Sequence, residues 1–256
     1  MQNPKIIHYC WFGRGPIPEK EKKCIASWKV HFPEYELKLW NEDNVDLETC
    51  QFAKQAYADK KYAFVSDYVR TKVLYEYGGL YLDTDVEILK NFENYFDCEC
   101  LLGFEGHIKV GTAVIYAKPN NFLVGELLRY YESHEYVDKK GNTDTIANTV
   151  LLTDLLLKQG LKQNGSEQWI GSIRVIPRDI FYPKKNGEKF MLTERTMAVH
   201  KFSGTWLSER ERKRGANWLW INVARPFLRS CRSLGIKIIG KERIRKLEIR
   251  LRNKLK

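Results

Sequence analysis

The chain has 256 residues, 43% of them hydrophobic and 13% aromatic, with a formal charge of +11. That length supports one substantial core, and that apolar content excludes a disordered chain. No stretch is apolar for long enough to span a bilayer, and the amino terminus runs directly into a buried-strand pattern without a basic segment before it, so an unexported, cytoplasmic protein is expected.

The charge is uneven. Residues 207–256 hold sixteen Lys and Arg against four Glu, a balance of +12, and leave −1 for residues 1–206. A step this abrupt predicts a boundary near residue 207, with a catalytic-sized domain over 1–206 and a basic, aromatic-rich helical tail over 207–256. Cys10, Cys24, Cys50, Cys98, Cys100 and Cys231 show neither zinc spacing nor a redox Cys-x-x-Cys, so reduced thiols are expected.

In chain order, Ile6-Ile7-His8-Tyr9-Cys10-Trp11-Phe12 is a short apolar run stopped by Gly13 and Gly15-Pro16, as in a central parallel strand. The carboxyl end of such a strand borders the ligand crevice of an open α/β sheet, which puts Trp11 where it could stack on a base or serve as plain core. His8 reads as a satisfied core histidine. A helix over 19–31 turns Cys24, Ile25 and Trp28 inward, residues 35–40 alternate as a second strand, 41–44 form a turn, and 52–58 form a short helix.

Residues 66–85 organise the rest. Val69, Val73, Leu74 and Tyr77 recur at helical spacing, Gly78-Gly79 stops the helix, Leu80-Tyr81-Leu82 forms a short buried strand, and Asp83 and Asp85 follow. In a strand these two carboxylates would point the same way and converge on one cation. Oxygen ligands favour Mg or Mn, whose shell is normally completed by substrate phosphates, so a metal-bound diphosphate is the natural reading. Ser66, Asp67 and Arg70 share a helix face that suits a polyol.

Further strands are expected over 101–104 and 112–117, helices over 121–132 and 145–159 with Asp144 or Thr145 as cap, and a strand over 173–176. Asn142-Thr143-Asp144-Thr145 could face a sugar, although such clusters more often form a turn and a cap. His200 closes a small strand over 197–199. The alternation predicts an α/β fold with a parallel-rich sheet and helices on both faces.

The run from Ser66 to Asp85, together with Lys5-Ile6-Ile7-His8-Tyr9-Cys10-Trp11-Phe12-Gly13, closely resembles glycosyltransferase family 32, the Asp-x-Asp sugar transferases, and more distantly the catalytic domain of clostridial glucosylating toxins. His-Lys-Phe-Ser-Gly-Thr-Trp, from His200 to Trp206, is similar to a closing motif of that family. The resemblance implies a GT-A type nucleotide-sugar-binding fold. It also implies Asp83, Asp85 and His200 as metal ligands, and Trp11, Ser66, Asp67, Arg70 and Trp206 around the donor. Catalysis would rest on Asp83, Asp85 and Arg70. The family reaction retains the anomeric configuration, and the imidazole favours Mn2+ over Mg2+. By the same resemblance the partners are a nucleotide sugar, with UDP expected and GDP as the fallback, and a saccharide acceptor in surface polysaccharide synthesis.

Two other classes stay open. Paired aspartates also serve metal-dependent nucleotidyltransferases and phosphohydrolases, although no third acidic motif of comparable clarity appears. A basic tail is also the footprint of nucleic-acid binding, although no recognised motif accompanies it. The tail's own pattern is that of an interfacial helix on an anionic membrane, or else of a first segment packed on the catalytic domain and a second that is solvated or oligomerising: Ile244, Leu247, Leu251 and Leu255 recur on a basic background behind a Trp-rich segment at 218–228. A peripheral enzyme on the inner face of the membrane, acting on a lipid-linked acceptor, follows as an expectation.

Overall fold

The computed structural model describes residues 4–106, 108–138, 141–184 and 190–204, with isolated positions between 217 and 230. The chain divides into two units, Met1–Trp206 and Leu207–Lys256. The predicted basic helices of the second unit, and Trp206, lie outside the described residues. Among the described residues no helix is long and apolar enough to cross a membrane.

The first unit runs β1 (Ile6–Cys10), α1 (Glu19–His31), β2 (Glu36–Trp40), α2 (Gln51–Ala58), α3 (Tyr62–Tyr77), β3 (Gly79–Leu82), β4 (Val86–Ile88), β5 (Cys100–Glu105), β6 (Lys109–Val110) and β7 (Val114–Ala117). It continues with α4 (Phe122–Ser133), α5 (Asn148–Lys158), β8 (Gln168–Ile170), β9 (Ile173–Ile176), α6 (Arg178–Phe181) and β10 (Ala198–His200). The central sheet has the order β2-β1-β3-β7-β5-β9-β8, with β6 beside β5, while β10 and β4 form a separate two-stranded sheet. Strands β2, β1 and β3 are mutually parallel, as are β5 and β9. Strand β7 runs against both β3 and β5. The sheet is therefore mostly parallel, as the alternating pattern predicts, with β7 reversed at its centre and the short β6 and β8 reversed beside β5 and β9.

Period-two alternation explains why helices cover both faces. Tyr81 of β3, Ile115 of β7 and Leu102 of β5 pack with the inward residues of α2 to α5. Their chain neighbours Leu80, Leu82, Val114 and Leu101 pack with Trp28 and Phe32 behind α1 and with Ile180 and Phe181 of α6. His8 is fully buried in β1, donating from Nε2 to the Gly78 carbonyl at 2.8 Å and accepting at Nδ1 from the Trp40 indole at 3.1 Å. Burial pushes its pKa down to about 4, so it is a neutral core histidine.

The join between α3 and β3 requires glycine for two reasons. Gly78 and Gly79 take φ of +65° and +100°, and a Cβ at Gly78 would lie 2.5 Å from Pro119 while one at Gly79 would lie 2.8 Å from the Ile6 carbonyl. The helix end is thus pressed onto β1 and the start of the loop after β7.

Several expectations are corrected. Helix α3 begins at Tyr62, and Tyr77, expected in its apolar stripe, is 42% exposed at the frayed end. On α1, Ile25 is only partly buried while Glu21 is buried. Helix α5 begins at Asn148 and is capped by neither Asp144 nor Thr145. The Asp144 carboxylate instead takes the Tyr130 hydroxyl and the Ile146 N–H, closing a turn, which is the blander of the two readings of 142–145. Strands β4, β6 and β8, each of two or three residues, are too short to leave a periodicity.

Candidate active site

Asp83 and Asp85 do not extend β3; they occupy the tight turn between β3 and β4, closed by the Val86 N–H on the Asp83 carbonyl at 2.9 Å. Convergence therefore comes from the turn. Strand β10 pairs antiparallel with β4, placing His200 opposite Val86. Ligand atoms of Asp83, Asp85 and His200 all lie within 4.8 Å of one another. The site sits at the carboxyl end of β3, beside the ends of β1 and β5, where an open α/β sheet holds its ligands.

The two carboxylates are held differently. Asp83 Oδ1 accepts from the Tyr81 hydroxyl at 3.0 Å and faces Arg70 Nη2 at 3.1 Å. The same Nη2 lies 3.1 Å from Asp67 Oδ1, Nη1 donates to the Thr112 carbonyl at 2.7 Å, and the guanidinium stacks 4.6 Å from the Tyr81 ring centroid. Arg70 is thus buried and spent on the protein, joining α3 to the aspartate turn. Burial alone would lower its pKa, but Asp83, Tyr81 and Asp67 outweigh that and drive it upward. For Asp67 burial wins over Arg70, and its pKa is raised.

Asp85 Oδ2 accepts the Ser203 N–H at 2.7 Å, Oδ1 lies 3.3 Å from His200 Nε2, and its backbone carbonyl accepts the Lys201 N–H at 3.0 Å. Burial would raise the Asp85 pKa, yet the His200 contact and the Ser203 N–H hold it below the usual range. His200 is shifted upward, its desolvation outweighed by the Asp85 carboxylate. Phe202 lies over the His200 ring with centroids 4.0 Å apart, and its φ of +53° is a left-handed conformation unusual for a bulky residue. That twist delivers the next N–H, that of Ser203, onto Asp85.

Two hard carboxylates and one imidazole, clustered and largely desolvated, fit a divalent ion of the Mn or Mg type. His200 Nδ1 is buried without a partner among the described residues, so one ring nitrogen is not committed to the protein.

The structure brings Ser66, Asp67, Arg70, Asp83, Asp85 and His200 into one region. Trp11 lies just past the end of β1, partly buried, with its indole N–H on the Gly15 carbonyl at 2.7 Å. Sequence reasoning missed Tyr81, although its position two before Asp83 on one strand was a usable signal. It also missed Asn148, whose amide donates to Asp67 Oδ1 at 3.2 Å across 81 residues and whose own Oδ1 is buried without a partner among the described residues. No spacing rule could have joined those two.

Residues 18–102 match the family described as "glycosyltransferase sugar-binding region containing DXD motif". The chain thus resembles the Asp-x-Asp sugar transferases over the stretch that carries the aspartate turn. A curated relative is inositol phosphoceramide mannosyltransferase 3 of Schizosaccharomyces pombe, 39% identical over 92 residues, which are 32% of this chain and 24% of that protein. The chain therefore matches about a quarter of that relative's length. Among solved structures, the PaToxG glycosyltransferase is 21% identical with a TM-score of 0.48, covering 62% of this chain and 69% of that one. A glycosyltransferase involved in glycosylation of the major capsid of PBCV-1 is 14% identical with a TM-score of 0.44, covering 82% and 97%.

Proposed function

We propose that this protein is a metal-dependent glycosyltransferase that moves a hexosyl unit from a nucleotide-diphosphate sugar to a hydroxyl acceptor with retention. The observation that carries it is the convergence of Asp83, Asp85 and His200 in a turn at the end of β3, inside the stretch that matches the sugar-binding family. These three residues would hold Mn2+ (or Mg2+), which when bound supplies positive charge against the departing diphosphate.

The chain's own residues set up the rest. Arg70 fixes Asp83 and Asp67 with one guanidinium and so acts by positioning. Asp67 and Asn148 present an acceptor and a spare amide oxygen to the sugar hydroxyls. Trp11 is set for the base, and by the family resemblance Trp206, outside the described residues, would cover the donor. No side chain at the aspartate turn stands out as a nucleophile. The economical course is therefore attack by the acceptor hydroxyl on the anomeric carbon from the face of the leaving group. The acceptor oxygen–carbon bond forms, the carbon–phosphate oxygen bond breaks, and the departing phosphate takes the hydroxyl proton.

UDP is the preferred carrier on the strength of Trp11 and the toxin resemblance. The name of the fission-yeast relative couples mannosyl transfer to a lipid, which supports a lipid-linked acceptor and keeps GDP-linked mannose as the second donor. A basic segment over 207–256 fits a peripheral enzyme at an anionic cytoplasmic leaflet, building a surface polysaccharide.

The test is a panel of nucleotide sugars assayed with Mn2+ for slow donor hydrolysis. One donor should be hydrolysed, and chelation should stop it. Turnover that survives chelation would overturn the metal-dependent reading, and phosphoryl cleavage of free nucleotides in its place would favour a phosphohydrolase.

A further inference from the structure

Beyond the groups of the aspartate turn, one surface feature leaves three apolar side chains unburied. Phe190, Met191 and Leu192 are consecutive and exposed to 41, 69 and 59%. Scattered apolar residues are normal on a surface, but three in succession are not. The backbone of this tip is tied down at Met191 and through Thr193 and Arg195 just after it. Met191 N–H donates to the Pro183 carbonyl at 3.0 Å, Thr193 N–H to Thr196 Oγ1 at 2.9 Å, and the Thr193 hydroxyl and Arg195 guanidinium both meet Asp179, at 3.1 and 2.7 Å.

Cations lie beside the same tip. Lys184 Nζ lies 4.4 Å and Lys201 Nζ 5.5 Å from the Phe190 ring centroid, and Lys90 Nζ donates to the Glu194 carbonyl at 2.5 Å. Lys201 also pairs with Glu87, whereas Lys90 and Lys184 have no carboxylate partner among the described residues. We propose that this tip is a membrane-docking element: residues 190–192 enter the headgroup boundary of an anionic leaflet while Lys90, Lys184 and Lys201 meet lipid phosphates.

The shape of the tip favours lipid over a protein partner. Successive side chains of a loop project in different directions, so no single plane of a folded partner buries all three, whereas a fluid acyl boundary receives them together. Apolar side chains with ammonium groups beside them match the chemistry of that boundary. The tied-down backbone means that little chain entropy is lost on insertion. The tip is also next to the site, because Lys201 directly follows His200 in the chain. Docking there brings the leaflet to the Asp85–His200 side of the turn. This inference does not depend on the transferase reading, and it concerns a different segment from the basic tail.

The test uses the full chain and vesicles of phosphatidylcholine with or without phosphatidylglycerol. The triple variant Phe190→Ser, Met191→Ser, Leu192→Ser should lose about ten-fold in sedimentation with the anionic vesicles and keep its near-ultraviolet circular dichroism and its donor hydrolysis in solution. Because residues 207–256 could hold the protein on vesicles by themselves, a second probe reads the tip directly. An environment-sensitive dye on Met191→Cys, in a Cys231→Ser background, should shift to the blue with anionic vesicles only. A silent dye on a vesicle-bound chain, or no vesicle binding at all, would each overturn the proposal. So would a dimer of the wild type that the triple variant abolishes, since the tip would then be a contact between copies.

Discussion

The two flanks of the site are built on different foundations. On one side Asp67 and Arg70 come from α3, Tyr81 from β3 and Asp83 from the turn directly after it, elements set against the central sheet and joined by one buried guanidinium. On the other, His200, Phe202 and Ser203 follow a strand whose sole sheet partner among the described residues is the three-residue β4. Two-stranded ribbons are marginal by themselves. Ala198 and Val199 anchor the strand in the core, but from His200 onward the flank is held largely by Asp85, whose carboxylate and backbone carbonyl fasten Ser203, His200 and Lys201. One flank is preorganised by the core and the other by a group of the site itself. Damage to the first should therefore be felt as lost stability, and damage to the second as lost activity.

The largest effect expected is that of Asp85→Asn on turnover, a loss of about 10³-fold or more from removing a charged ligand at the leaving group. The amide oxygen still accepts the Ser203 N–H, so the urea midpoint should stay near that of the parent. A large drop in that midpoint would break the distinction between flanks. Next comes Arg70→Met, which leaves Asp67 and Asp83 desolvated with no counter-charge and should cost about 3–5 kcal/mol of folding free energy, read by chemical denaturation. A variant as stable as the parent would mean that Arg70 serves the substrate rather than the fold.

The pH dependence of stability tests the first flank again, since His8 bonds the glycine stop of α3. Its folded pKa is about 4 against 6.5 for the free group, so the unfolded chain binds the extra proton between these values. The His8 contribution is fully present above pH 6.5 and falls by roughly 3 kcal/mol on the way down to pH 4. Carboxylates titrate in the same window. Denaturation curves at neutral and acid pH for the parent and for His8→Asn separate the two, and an unchanged slope in the variant would remove His8 from the account. The smallest effect is that of Asn148→Ala. The loss of one neutral hydrogen-bonding group should raise the donor KM about ten-fold with kcat nearly kept. An unchanged KM would make Asn148 a structural partner of Asp67 only.

The first flank was largely legible in the sequence, because helix, glycine stop, strand and aspartates follow one another without interruption between Ser66 and Asp85. Local periodicity and turn chemistry suffice there. What the sequence misplaced was the cause of convergence: strand alternation was expected, and a turn does it instead. The second flank was legible only through resemblance at His200. Its backbone contribution, the Ser203 N–H, depends on an unusual φ at Phe202 that no propensity indicates. Asn148 was invisible because it reaches Asp67 through the tertiary packing of α5 against the sheet, and the start of α5 was itself misread by three residues.

The bond from Ser203 to Asp85 spans 118 residues of chain. Contacts so distant in sequence carry a large closure entropy and tend to form late in folding. As the polypeptide emerges from synthesis, the two aspartates are made long before His200, the third member of the cluster. A nascent chain thus holds two carboxylates and an arginine but not the completed Asp83–Asp85–His200 cluster until β10 docks. The last strand of the first unit acts as an assembly checkpoint: the cluster cannot close before nearly all of that unit has folded.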